Sequence, residues 1–190
     1  MSATPVTTTN NAPVPDPTRP VVPSHRDDAA LASAPAGSVD LPGAAALLDA
    51  AATVTVLCHI NPDADTLGSG LALGLALERR GVAVQVAFGS PANMPDSMRS
   101  LPGTHLVTPV SEVRREADLV VTVDCGTAGR LGVLRDRLKT APNVLVIDHH
   151  LSNTRFGTHN LIDPESEATA MVLADLFDVW GVEIDAALAH

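Results

Sequence analysis

Three short segments of the 190-residue chain collect the side chains that can bind metal ions. The first, His59-Ile60-Asn61-Pro62-Asp63-Ala64-Asp65, places an imidazole and two carboxylates side by side in the sequence. Carboxylates this close repel each other unless a cation or a proton lies between them, so a metal ion is the economical account of the pair. The second is Asp124, ahead of Cys125-Gly126-Thr127, and the third is Asp148-His149-His150. Imidazole and carboxylate donors without prominent thiolates favour Mn²⁺ or a similar first-row divalent ion. Several carboxylates around one cleft suit two ions about 3.5 to 4 Å apart, which activate a water and stabilise in-line displacement at phosphorus.

Each cluster also has a plainer reading. Asp63 or Asp65 can cap a helix, His59 can be a satisfied histidine at a strand end, and Asp124 can cap whatever follows it. It is their coincidence that favours chemistry. Pro62 forbids a helix through the first cluster and biases Asn61 towards extended backbone. The following Thr66-Leu67-Gly68-Ser69 is expected to open a helix whose free N–H groups receive a phosphate oxygen, which makes Gly68 and Ser69 candidate substrate-binding residues. At a strand end neighbouring side chains diverge, so one of His149 and His150 can bind metal while the other faces substrate, with Asp148 orienting a ring.

The elements that must position these residues follow from apolar patterning. Continuous apolar runs predict strands over 54–59, 82–88, 119–123 and 144–147. Helical spacing predicts helices over 44–52, 67–80, 128–139 and 166–180, with Gly81 and Gly181 as stops. The turn-rich stretch 91–109 predicts only a short helix around 96–101. Gly70 and Gly74, inside a helix, read as close packing against a sheet. This order is that of an α/β fold: a doubly wound, mostly parallel sheet with helices on both faces, whose ligands bind beyond the carboxyl ends of the strands. All three clusters follow predicted strands.

Composition sets the boundaries. Residues 1–42 hold eight of the 15 prolines and no aromatic residue, so they are expected to be a disordered tail before a domain over 43–190. The formal net charge of −10 opposes a broad electrostatic grip on long nucleic acid, and 2% aromatic residues argues against base-stacking platforms. Cys58 and Cys125 lie inside apolar runs, as buried thiols of a reducing compartment do. With no apolar stretch long enough to span a bilayer, the sequence is expected to be cytoplasmic and to have no membrane partner.

His59-x-Asn61-Pro62-Asp63-x-Asp65-x-x-Gly68-Ser69, Val123-Asp124 and Asp148-His149-His150 resemble the DHH phosphoesterase family in order and in strand-end placement. The Asn61-Pro62-Asp63-Ala64-Asp65 wording and Asn160-Leu161-Ile162-Asp163-Pro164, with Ala168-Thr169, are most similar to its NrnA-type branch. That resemblance implies hydrolysis of short RNA, of the 3′-phosphate of 3′-phosphoadenosine 5′-phosphate, and of cyclic di-AMP or its linear product pApA. It implies two Mn²⁺ ions in the complete enzyme, with Mg²⁺ or Co²⁺ as substitutes. His59, Asp63 and Asp124 would bind one ion; Asp65, Asp124 and His149 would bind the other; and His150, beside Asp148, would contact the scissile phosphate. A homodimer is a further implication.

Members of the family carry an additional aspartate and a DHH-associated substrate-binding domain beyond the point where this chain stops, so the chain is expected to be the DHH domain alone, truncated at its C-terminal end. Asp163 reads as a cap or turn residue rather than a replacement ligand. The alternatives are a non-catalytic metal- and nucleotide-binding module, a family II pyrophosphatase, and a RecJ-like exonuclease.

Overall fold

The apolar runs become strands because parallel strands covered on both faces need side chains that are apolar throughout. A computed structural model of the chain describes residues 37–190 apart from Ala92. Strands β1 (Gly37–Ser38), β2 (Thr53–Cys58), β3 (Ala83–Phe88), β4 (Leu119–Val123), β5 (Asn143–Asp148) and β6 (His159–Ile162) form one sheet in the order β1-β6-β5-β4-β2-β3. Every pairing in it is parallel. The α-helices are α1 (Leu41–Ala50), α2 (Ala64–Arg79) and α3 (Thr169–Trp180).

The chain winds outward from β2 to β3, then returns to the other side of β2 and continues through β4 and β5 to β6. Parallel crossovers are right-handed, so reversing the direction of travel sends the β4–β5 connection to the face opposite α2. The core divides accordingly. Leu48, Leu71 and Leu173 of the three α-helices pack on Val56, Val121 and Ile147 of one face. Leu131 and Leu134 of the β4–β5 connection pack on Leu57, Val120 and Val146 of the other.

Three local expectations are corrected, and one strand, β6, was not among those predicted. The 128–139 segment is a run of 3-10 turns (Ala128–Lys139) rather than an α-helix, broken at Gly132, whose φ of 58° and ψ of −133° are not helical. A Cβ on Gly132 would lie 2.9 Å from Ile60 Cγ2, so the break is where this segment closes onto the loop after β2. Residues 37–42, expected to belong to the tail, carry structure: β1 pairs with β6, and Asp40 caps α1 by accepting from Gly43 N–H at 2.9 Å. Helix α2 starts at Ala64, three residues early, because Asp63 caps it. The short edge strand β6 carries no long apolar run and is set by its neighbours. The expected tail over residues 1–36 lies outside the described residues.

Cys58 and Cys125 are free and buried, as expected. Desolvation pushes the Cys58 thiol up to about 12 and the Cys125 thiol well above its ordinary value, so both are inert at neutral pH. No helix among the described residues is long and apolar enough to cross a membrane.

Gly70 serves the packing role read from sequence. A Cβ there would sit 2.6 Å from Cys58 Sγ and 3.4 Å from Val86 Cγ1. Gly70→Ala is therefore expected to destabilise the fold by about 1–3 kcal/mol through overpacking, read as a lowered Tm. Adding Cys58→Ala should recover part of that loss; a Gly70→Ala variant that melts with the unmodified chain would show that α2 does not approach β2 this closely.

Candidate metal centre

The carboxyl ends of β2 and β4 are neighbours in the sheet, yet the chain leaves them towards opposite faces, which opens a crevice at the point where the winding reverses. His59 directly follows β2, Asp124 directly follows β4, and Asp148 ends β5 ahead of His149 and His150. Two of the turns into the crevice are left-handed, Asn61 at φ 52° and Asp124 at φ 57°, a region that Asn and Asp tolerate better than most residues. Asn61 is thus not extended as Pro62 suggested: its N–H donates to Ser90 O at 2.6 Å, and that bond holds the turn. Asp124 keeps a ladder bond as it turns, its N–H donating to Ile147 O at 3.0 Å.

Asp124 is 3% exposed, and its carboxylate divides its two oxygens between two clusters. Oδ2 lies 3.4 Å from His59 Nε2, which is itself 3.5 Å from Asp63 Oδ2. Oδ1 lies 3.7 Å from His149 Nε2 and 3.5 Å from His150 Nδ1, and accepts from Thr169 Oγ1 at 3.1 Å. His59, Asp63 and Asp124 each offer a ligand atom within 4.8 Å of the others, and so do Asp124, His149 and His150.

Backbone carbonyls decide the histidine tautomers. His59 Nδ1 is 2.8 Å from Ile60 O, and His149 Nδ1 is 3.2 Å from Ser166 O. A carbonyl only accepts, so Nδ1 carries the proton in both rings, and in the neutral form each Nε2 lone pair points at carboxylates. His59 Nε2 is buried and has no hydrogen-bond partner among the described residues. A lone pair facing two carboxylates is repulsive unless a cation or a proton stands between them, so the donor set fits a divalent ion.

The same geometry shifts the acidity of these side chains. Burial alone would lower the basicity of His59, but the Asp124 carboxylate and the Ile60 carbonyl outweigh it and hold the imidazole above its ordinary value. Burial would likewise raise the Asp124 carboxyl, but His59, Thr169 and His150 hold it below the usual carboxylate range. A proton and a cation would therefore compete for the same place between these groups.

The acids flanking this centre do two jobs at once. Asp63 Oδ1 caps α2, accepting from Thr66 N–H at 3.1 Å, which leaves Oδ2 for His59. Asp65 caps α3, its oxygens accepting from Thr169 N–H at 2.9 Å and Ala170 N–H at 3.0 Å, while Oδ2 stays 3.9 Å from His149 Nε2. Asp148 is fully buried. Its Oδ1 accepts from His150 Nδ1 at 2.7 Å and His149 N–H at 2.9 Å, and its Oδ2 from Asn153 Nδ2 at 2.5 Å.

Gly68 and Ser69 stand apart from this cluster. Because α2 begins at Ala64, both lie in its second turn, where the N–H groups are already bonded within the helix. The N–H of Thr66 goes to Asp63 Oδ1 and that of Leu67 to Asp63 O, so the expected phosphate-receiving amides of 66–69 are not free. Both residues line a groove between α2 and α3 with Ala170 and Met171. Asp163 is a turn residue, as read from sequence, with Oδ2 accepting from Ser166 Oγ at 2.6 Å and Oδ1 from Glu165 N–H at 3.1 Å.

Three residues in contact with the site were given no role of their own from sequence, although Thr66 and Thr169 stand inside the quoted motifs. Thr66 Oγ1 donates to Val123 O at 2.9 Å and accepts from His59 N–H at 3.3 Å, tying the ends of β2 and β4 together. Asn153 and Thr169 hold Asp148 and Asp124. Each is a lone polar residue on a loop or at a helix start, and nothing in its local spacing distinguishes it.

Residues 53–189 match the DHH family, N-terminal domain. The chain is 33% identical over 137 residues to the bifunctional oligoribonuclease and PAP phosphatase NrnA of Thermus thermophilus, covering 72% of this chain and 40% of that protein. It is 31% identical over 126 residues to an uncharacterized protein of Methanocaldococcus jannaschii, covering 64% of this chain and 25% of that one. The chain therefore spans less than half the length of these relatives. An exopolyphosphatase-related protein from Bacteroides fragilis shares the fold, with a TM-score of 0.67 at 23% identity, over 74% of this chain and 43% of its own. The family match takes in every strand from β2 onward and all three clusters, and on that ground the chain belongs to the DHH family and carries its N-terminal domain.

Proposed function

We propose that residues 37–190 form the catalytic domain of a Mn²⁺-dependent phosphoesterase that hydrolyses short oligoribonucleotides and small adenine nucleotides, among them 3′-phosphoadenosine 5′-phosphate, pApA and cyclic di-AMP. The observation that carries this reading is the division of one buried carboxylate, Asp124, between two histidine clusters, since a shared carboxylate is what a two-ion site requires. His59, Asp63 and Asp124 would hold one ion. Asp124, His149 and Asp65 would hold the other, with Asp65 kept in place by the start of α3. When bound, the ions supply neutralisation of charge on the phosphoryl oxygens and an acidified water for in-line attack.

The chain's own residues do the positioning. Asp148 accepts a hydrogen bond from His150 Nδ1–H, so Nε2 is the ring atom left to contact the scissile phosphate. Asn153 and the His149 amide complete the shell of Asp148, which keeps that carboxylate from turning into the site. The strongly acidic composition supports short substrates, whose few phosphates are held locally, over long strands that need an extended basic groove. The name of the Thermus relative supports the same substrate class. Two free, buried thiols fit a cytoplasmic setting.

The purified chain is expected to release AMP from pApA with Mn²⁺, to fall silent with EDTA, and to recover when Mn²⁺ is restored. Turnover of pyrophosphate or of long single-stranded DNA in preference to pApA would replace this reading with one of its relatives in the family. Binding of Mn²⁺ with no turnover of any of these would leave a non-catalytic binding module.

A further inference from the structure

The two proposed ion positions are held in different ways. His59 and Asp63 are fixed inside their own loop, His59 Nδ1 by Ile60 O at 2.8 Å and Asp63 Oδ1 by Thr66 N–H at 3.1 Å. The side chains around the other position are fixed by one distant turn at the start of α3. Ser166 O accepts from His149 Nδ1 at 3.2 Å, Thr169 N–H donates to Asp65 Oδ2 at 2.9 Å, and Ala170 N–H donates to Asp65 Oδ1 at 3.0 Å. Thr169 Oγ1 donates to Asp124 Oδ1 at 3.1 Å. Asp65 Oδ2 and Asp124 Oδ1 are the oxygens that face His149 Nε2, at 3.9 and 3.7 Å. Thr169 therefore holds both of them, from 104 and 45 positions away in the sequence.

Thr169 is fully buried, and α3 has no capping side chain of its own, its N-cap being Ala168. Threonine is a good cap, yet here it stands one place inside the cap, so its hydroxyl is free of the helix and reaches Asp124 instead. Its N–H is one of the unsatisfied donors of a first helical turn, and Asp65 meets it. An oxygen already held by a hydrogen bond while it faces an imidazole has less ordering left to undergo when a cation arrives. We propose that Thr169 is a positioning residue for the second ion, holding Asp65 and Asp124 against His149. This inference rests on the two-ion reading above and adds a dependence to it: the His59 position is complete with its own loop and Asp124, whereas the His149 position exists only while the start of α3 is docked.

The test uses the whole chain and Mn²⁺ alone. The ion is titrated into the unmodified protein, Thr169→Val and Thr169→Ser, with free Mn²⁺ counted by electron paramagnetic resonance. Valine keeps the shape and the backbone N–H and removes only the hydroxyl. Thr169→Val is expected to bind its first Mn²⁺ within about threefold of the unmodified chain and its second about ten- to a hundredfold more weakly. Thr169→Ser, which keeps a hydroxyl, should bind both ions as the unmodified chain does. The coupling is reciprocal, so in the unmodified chain the second equivalent of Mn²⁺ should slow hydrogen–deuterium exchange of the Thr169 and Ala170 amides, and the first should leave it unchanged. That measurement needs no variant to fold.

Two ions bound by Thr169→Val as tightly as by the unmodified chain, or a Thr169→Ser as weak as Thr169→Val, would overturn the assignment while leaving the two-ion reading intact. Equal weakening of both ions in Thr169→Val would make Thr169 a support of the fold and overturn it too. Exchange at Thr169 and Ala170 that ignores the second equivalent would do the same, and it decides the matter alone if Thr169→Val does not fold. An unmodified chain that binds one Mn²⁺ or none would remove the two-ion reading itself, and this inference with it.

Discussion

Asp124→Asn is expected to reduce Mn²⁺-dependent hydrolysis of pApA by roughly a thousandfold or more, about 4 kcal/mol of transition-state stabilisation. The argument is geometric. Oδ1 and Oδ2 of Asp124 face His149 and His59 respectively, so one substitution removes negative charge from both ion positions. An amide in its place also turns an N–H donor towards one of the two clusters. Stability should hardly change, because Asn tolerates the left-handed turn at position 124 and its carbonyl can still accept from Thr169 Oγ1. The expected pattern is an unchanged Tm, loss of both bound Mn²⁺ ions and loss of turnover. Hydrolysis within tenfold of the unmodified chain would show that Asp124 does not bridge, and the two-ion reading would fall.

Asp148→Ala should have the second largest effect, and of a different kind. Asp148 is fully buried and accepts from the His149 amide, the His150 ring and the Asn153 amide, so its removal strands three donors and frees the His150 ring to rotate. A loss of about 2–3 kcal/mol of stability and a fall of roughly 10- to 100-fold in kcat are expected. Because Asp148 faces neither His59 nor Asp63, the ion held there should still bind, which separates this variant from Asp124→Asn. Asp148→Asn is not a rescue, since its amide would meet the Asn153 amide donor to donor. If Asp148→Ala raised KM alone and left kcat untouched, His150 would be holding ground-state substrate only, and its contact with the scissile phosphate would have to be abandoned.

Residue type and local order determined a good deal on their own. Apolar runs separated by helical spacing were enough for the parallel α/β sheet, because strand and helix periods are written within a few neighbouring residues. The placement of His59, Asp124 and Asp148-His149-His150 just after such runs was enough to expect them around one crevice, where the structure brings them together. Gly70 could be read as a close-packing residue because a glycine inside an otherwise strong helix needs a reason. The Asp163 turn and the two inert thiols were legible for equally local reasons.

Tertiary structure alone decided the rest. Whether 128–139 coils as an α-helix or as 3-10 turns depends on how Gly132 fits against Ile60, a contact across more than seventy positions. Asp65 could be recognised as a capping residue, but the helix it caps is α3, not its own, because winding brings the start of α3 over α2. Asn153 carries no local signature, and one of its two partners, Cys125 O, arrives from the end of another strand. Residue order settles which side chains stand at the strand ends. Only the crossing of the chain over its own sheet decided which oxygen of Asp124 meets which histidine, because that depends on directions set by packing between distant segments and not by spacing along the chain.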